Sequence, residues 1–145
     1  MKTALVILAA GLSSRMGVLK PLLPVGGESA LSRTLRLGRA AGVDFTLVVT
    51  GHARERVEAE LHRLALPHER AVYNPRYEEG MFTSVQAAAA ALPKETEAFF
   101  LLPVDCCAVS ARTLSALLKA YRELKSPAVV RPVYNGTRGH PPLIP

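Results

Sequence analysis

Four strand-like runs, Thr3–Ala9, Phe45–Thr50, Arg70–Tyr73 and Ala98–Leu102, recur along the chain, and a helix-like segment separates each from the next. The first and last of these runs are apolar at every or nearly every position, the mark of strands buried on both faces. Strands of that kind need crossover connections, and the segments Ser29–Ala41, Ala53–Leu64 and Phe82–Leu92 have the length and spacing to supply them as helices. The alternation predicts an α/β sandwich around a mostly parallel sheet. Gly42 and Pro93 read as helix stops. Ser110 reads as the N-cap of a further helix reaching about Leu124. Ala128–Tyr134 reads as a fifth strand, Asn135-Gly136 as a turn, and His140–Ile144 as the start of another strand. The run Ala87–Ala91 reads as a tightly packed helix.

Within 145 residues this pattern fills one domain, 1–145, with no repeat and no linker. The chain closes on the apolar Leu143 and Ile144, which reads as a domain truncated at its C-terminal side. The formal net charge of +6 favours anionic partners. With no Trp and 6% aromatics, stacking platforms for nucleic acid are poorly supplied, so small phosphorylated molecules are the expected partners. Arg33, Arg36 and Arg39 read as a solvated helix face. Met1–Gly11 is too short to span a membrane, and no membrane partner is expected. Cys106 and Cys107 are adjacent, which is poor geometry for an ordinary disulfide, so they read as small buried hydrophobes in a cytoplasmic protein.

In open parallel sheets ligands sit at the carboxyl ends of the strands, which selects the loops at 10–20, 50–53, 74–81 and 103–109. The first of these, within "LAAGLSSRMGVLKP", is a candidate phosphate cradle. Ala9, Ala10 and Gly11 let a ligand approach the backbone. Arg15 offers a fork of donors and Lys20 a point charge. The stretch is not a P-loop, because five residues separate Gly11 from Gly17 and no Lys follows Gly17. It is not G-x-G-x-x-G either. On these residues alone a solvated surface loop is as good a reading as a phosphate site.

Ala10-Gly11-Leu12-Ser13-Ser14-Arg15-Met16-Gly17-Val18-Leu19-Lys20 resembles the first signature block of the MobA-like nucleotidyltransferases. "NPRYEEGMFTSVQAA" from Asn74, "LLPVDCC" from Leu101 and "RPVYNGTRGHPPL" from Arg131 are similar to the later blocks, in the same order. Within the family the chain looks most like the molybdenum cofactor cytidylyltransferases, since Ala9-Ala10-Gly11 stands where guanylyl-transferring members carry Ala-Gly-Gly.

The resemblance implies a Rossmann-like, three-layer GT-A fold. It also implies transfer of CMP from CTP to a phosphorylated, molybdopterin-type acceptor, with release of pyrophosphate. It assigns nucleotide binding to Leu8, Ala9, Ala10, Gly11, Ser14, Arg15, Lys20, Thr50, Gly80 and Ser84. Arg15, Lys20 and Asp105 would be catalytic, Asp105 would bind Mg²⁺, and Arg138 and His140 would face the acceptor. Other phosphorylated acceptors, or an inactive nucleotide-binding part of a longer chain, remain alternatives. The pattern departs from the family in two places. Cys106-Cys107 follows Asp105 where Gln or Met and then Pro is usual. Downstream of Asp105 the one acid is Glu123, so a second metal-binding carboxylate is expected beyond Pro145.

Overall fold

The computed structural model describes residues 1–12 and 17–145 of the chain. Strand β1 (Thr3–Leu8) is followed by a short 3₁₀ turn at Lys20–Leu22 and a small hairpin, β2 (Pro24–Val25) and β3 (Glu28–Ser29). Then come α1 (Ala30–Ala41), β4 (Phe45–Thr50), α2 (Arg54–Leu64), β5 (Glu69–Tyr73), α3 (Met81–Ala91), β6 (Ala98–Pro103) and α4 (Ala111–Arg122). A second hairpin, β7 (Val133–Tyr134) and β8 (Thr137–Arg138), precedes the last strand, β9 (Leu143–Ile144).

The main sheet runs β5-β4-β1-β6-β9. The first four strands are mutually parallel, and β9 joins β6 antiparallel, with Phe100 opposite Leu143. One face packs on α1, α2 and α4 through Leu31, Leu35, Val57, Leu61, Leu114 and Leu117, against Leu5, Ile7, Val48, Phe100 and Leu102. The other face, with Val6, Leu8, Leu47 and Val49, packs on α3 through Ala88 and Val85. The result is the expected α/β/α sandwich. The punctuation also holds. Ser29 and Ser110 accept from the backbone N–H groups of Ser32 and Thr113, and Gly42 closes α1 at φ 71°, a left-handed geometry that suits glycine. Asn135 and Gly136 both take positive φ, as a two-residue hairpin turn of the primed type requires.

Two expectations are corrected. Ala128–Tyr134 does not form the fifth strand. Only Val133–Tyr134 is extended, in the outlying hairpin, and Val130 makes a single bridge to Leu143. Leu143–Ile144 takes the place beside β6, and Pro132 lacks the N–H that a longer ladder would use. The alanine run is not tightly packed: Ala88 is fully buried, whereas Ala89, Ala90 and Ala91 are exposed on the outside of α3.

Thr46 carries a structural defect. Its side chain is 1% exposed, on the strand face that meets Gly38 of α1, and Oγ1 has no hydrogen-bond partner among the described residues. An orphaned buried hydroxyl destabilises by about 1–3 kcal/mol. Thr46→Val keeps the shape and removes the orphan, so it is expected to stabilise by about 1 kcal/mol and raise Tm by about 3 °C, read by thermal unfolding.

Candidate functional site

Because β1 lies between β4 and β6, the carboxyl ends of these three strands meet. Three backbone bonds lock them there. Ala9 N–H donates to Val49 O (2.9 Å), Val104 N–H to Leu8 O (3.1 Å) and His52 N–H to Ala10 O (3.2 Å). A cavity of about 230 Å³ opens above this edge. Leu8, Ala9, Ala10 and Gly11 line its floor; Lys20, Pro21, Pro103, Val104 and Asp105 line one side; Tyr77, Met81 and Ser84 line the other.

The residues singled out in the sequence converge only in part. Leu8, Ala9, Ala10, Gly11, Lys20, Ser84 and Asp105 share the cavity. Gly80 is exposed at the N-cap of α3, next to the lining residue Met81. Thr50 is turned away from it: its hydroxyl is buried and donates to Glu58 Oε1 at 2.8 Å. Ser14 and Arg15 lie outside the described residues. Arg138 and His140 are exposed, and His140 lines a separate groove with Ser110, Thr113 and Tyr134.

Among the described residues, the polar pole of the cavity is the Lys20–Asp105 ion pair. Lys20 Nζ donates to Asp105 Oδ2 at 2.9 Å, with both side chains roughly two-fifths exposed (38% and 46%). At that exposure the pair adds little to stability, on the order of 0–1 kcal/mol, and both groups remain accessible to a ligand. Among the described residues, nothing lies within 4 Å of the point where a Cβ on Gly11 would project. Gly51 is the reverse case. A Cβ on it would stand 2.7 Å from Tyr77 Cβ and 2.9 Å from Ala10 Cβ, so its bareness lets Tyr77 close against the β1 edge.

The loop that carries Tyr77 is held by a buried polar network. Asn74, 2% exposed, donates through Nδ2 to Thr83 Oγ1 (2.8 Å) and Ser84 Oγ (2.9 Å) and accepts from Arg76 N–H (2.9 Å). Thr83 Oγ1 donates in turn toward the carbonyls of Arg76 and Gly80, both at 2.8 Å. Ser84 therefore anchors this loop as well as lining the cavity. Sequence reasoning missed Tyr77 and Asn74. Their signal was available, a lone aromatic and a turn-forming Asn-Pro at a strand's carboxyl end, but each is also an ordinary loop residue.

Cys106 and Cys107 are half-buried against the core. Burial raises the Cys106 thiol above its usual range, and the charge of Asp105 adds to this. It stays protonated at neutral pH and acts as a small hydrophobe. No helix of the described residues is long and apolar enough to cross a membrane.

The chain is 32% identical over 141 residues to the molybdenum cofactor cytidylyltransferase of Escherichia coli, covering 96% of this chain and 68% of that protein. It is 37% identical over 132 residues to the bifunctional IPC transferase and DIPP synthase of Rubrobacter xylanophilus, covering 88% of this chain but only 29% of that one. Among solved structures, Rv0371c of Mycobacterium tuberculosis matches with a TM-score of 0.82 at 26% identity, over 99% of this chain and 71% of that one. A manganese complex of the same protein matches at a TM-score of 0.77, with 25% identity over 99% and 70% of the two chains. The model of the MobA-like NTP transferase domain matches residues 5–145, and the chain belongs to that family.

Proposed function

We propose that this chain is a nucleotidyltransferase that moves CMP from CTP to a phosphate-bearing acceptor of molybdopterin type. An acceptor phosphate oxygen forms a bond to the α-phosphorus of CTP, the α–β phosphoanhydride bond breaks, and pyrophosphate leaves with the electron pair. Attacker and target are both anions, so neutralising and aligning charge is most of the catalytic task. The observation that carries this reading is the Lys20–Asp105 pair, 2.9 Å apart, beside a backbone floor of Ala9, Ala10 and Gly11. Lys20 would take the triphosphate, with Arg15 as its expected partner. The bare backbone at Gly11, with none of the described residues within 4 Å of a Cβ there, suits close approach of a phosphate or a base to the main chain. Ala10, in place of the glycine of guanylyl-transferring members, leans the base preference toward cytosine.

The donor set fits Mg²⁺. Asp105 is the one carboxylate lining the cavity, and no cluster of three or more metal-ligating side chains exists among the described residues. Mg²⁺ is commonly held by one or two carboxylates together with substrate phosphates and water, whereas a structural zinc site would need about four protein ligands. When bound, the ion would polarise the phosphates and neutralise developing charge. Lys20 is the residue that would shift from Asp105 to the triphosphate. Paired free thiols suit a cytoplasmic location.

A second reading keeps the reaction but changes the acceptor to a sugar phosphate or another phosphorylated molecule. The 37% identity to a relative not named for molybdenum cofactor chemistry favours it. Pyrophosphate release, measured with CTP, GTP, ATP and UTP, with and without Mg²⁺, and with molybdopterin or sugar 1-phosphates as acceptors, separates the readings. Release with CTP, Mg²⁺ and molybdopterin together is expected. Release only with a sugar phosphate selects the second reading. Thermal stabilisation by CTP without release under any acceptor would leave a nucleotide-binding domain and overturn both.

A further inference from the structure

Arg33, which lies outside the signature blocks, ties down the loop that follows Asp105. Arg33 projects from the second turn of α1, and its Nε donates to the carbonyl oxygen of Cys107 at 3.0 Å, across 74 residues of sequence. Its Nη1 lies 3.3 Å from the point where a Cβ on Gly26 would stand, at the turn of the β2–β3 hairpin. Gly26 has φ +59°, and any side chain there would meet the guanidinium. One half-buried side chain therefore touches both the β2–β3 turn and the loop that follows Asp105. The hairpin follows directly on the 3₁₀ turn that begins with Lys20, and Leu23 O ties that turn to α1 by accepting from Ala30 N–H at 2.9 Å. The other segment, two residues past Asp105, carries the carboxylate that Lys20 meets.

We propose that Arg33 is a positioning residue: by bracing the Cys107 carbonyl against the β2–β3 turn, it sets the separation of Lys20 and Asp105 across the cavity. The physical need is clear. Cys106-Cys107 follow Asp105 without a stiffening proline, and Cys106 N–H is held by one local bond to Pro103 O at 2.9 Å. A planar fork with a fixed donor direction suits a carbonyl brace better than a flexible ammonium does. Displacements near 1 Å at a reacting centre are enough to cost on the order of 10²-fold in rate. Periodicity alone places Arg33 on a solvated face with Arg36 and Arg39.

The kinetic part of this inference rests on the nucleotidyl transfer proposed above; the structural part does not. The chain has two cysteines, both in this loop, so alkylation by a maleimide reports loop opening without any substrate. Arg33→Met keeps the aliphatic stem and removes the brace. Alkylation is expected to speed up several-fold with Tm changed by no more than about 2 °C, since one partly exposed bond is lost. The apparent KM for Mg²⁺ should rise and kcat fall about tenfold, with the KM for CTP measured at saturating Mg²⁺ nearly unchanged. Arg33→Lys keeps a cationic donor and should recover part of both effects. Unchanged alkylation and unchanged kinetics in Arg33→Met would overturn the proposal. So would a Tm loss in both variants with Mg²⁺ dependence unaltered, which would make Arg33 a plain structural strut. If the wild type releases no pyrophosphate while Arg33→Met still opens the loop, the reaction falls and the brace stands.

Discussion

Asp105→Asn is expected to lower nucleotidyl transfer by about 10²–10³-fold while leaving the fold intact. The size follows from losing one preorganised electrostatic contact to a phosphoryl transition state, about 2.7–4 kcal/mol. Asn keeps the shape and can still accept from Lys20, but it carries no charge with which to hold a divalent cation. Stability should barely move, because the Lys20–Asp105 pair is exposed on both sides. Steady-state pyrophosphate release and a thermal melt, run on the same sample, separate the two effects. Activity within threefold of wild type would show that Asp105 is not the metal-side residue of this cavity.

The largest stability effect is expected far from the cavity. Arg39 Nε and Nη2 grip the carboxylate of Glu69 at 2.7 and 2.6 Å, and Leu66 N–H donates to it at 2.8 Å. The Glu69 side chain is wholly buried, with none of its surface exposed. Arg39 is itself 34% exposed, so the pair is buried on one side only; Arg39→Met strands the buried carboxylate and should destabilise by about 2–3 kcal/mol. That is a large fraction of the roughly 5–15 kcal/mol that holds a domain folded.

The pH dependence gives this prediction a sign. In the wild type, burial pushes the Glu69 carboxyl up, but Arg39 and the Leu66 N–H outweigh it and leave the group below its usual range. A folded value below the unfolded one means that stability is fully present above about pH 4.3 and is lost as pH falls through the depressed value. In Arg39→Met the burial remains and the guanidinium is gone, so the folded value rises above the unfolded one. The variant should then gain stability as pH drops from 7 to 5, where the wild type stays flat. Urea midpoints at the two pH values read the difference.

Arg39 also marks where sequence reading ends. Arg33, Arg36 and Arg39 fall on one stripe of α1, and periodicity alone makes all three a solvated face. In the structure Arg36 meets Glu28 on the surface, Arg39 seizes buried Glu69 on β5, and Arg33 braces the Cys107 carbonyl. Their partners lie 8, 30 and 74 residues away, which no local pattern encodes.

By itself the sequence determined the four parallel strands, the helices between them and the sheet edge where the candidate site lies. Continuous apolar runs suit strands buried on both faces, helices of crossover length lie between them, and Lys20 and Asp105 follow strands that are neighbours in a parallel sheet. Tertiary structure alone decided the outermost strand. Leu143–Ile144, not Ala128–Tyr134, lies beside β6, because edge pairing depends on which segment reaches the free ladder. It also decided that Thr50 turns to Glu58 rather than into the cavity, and that Tyr77 closes over Gly51. Such outcomes depend on distances of 2–4 Å between segments remote in the chain, and only the packed fold sets those distances.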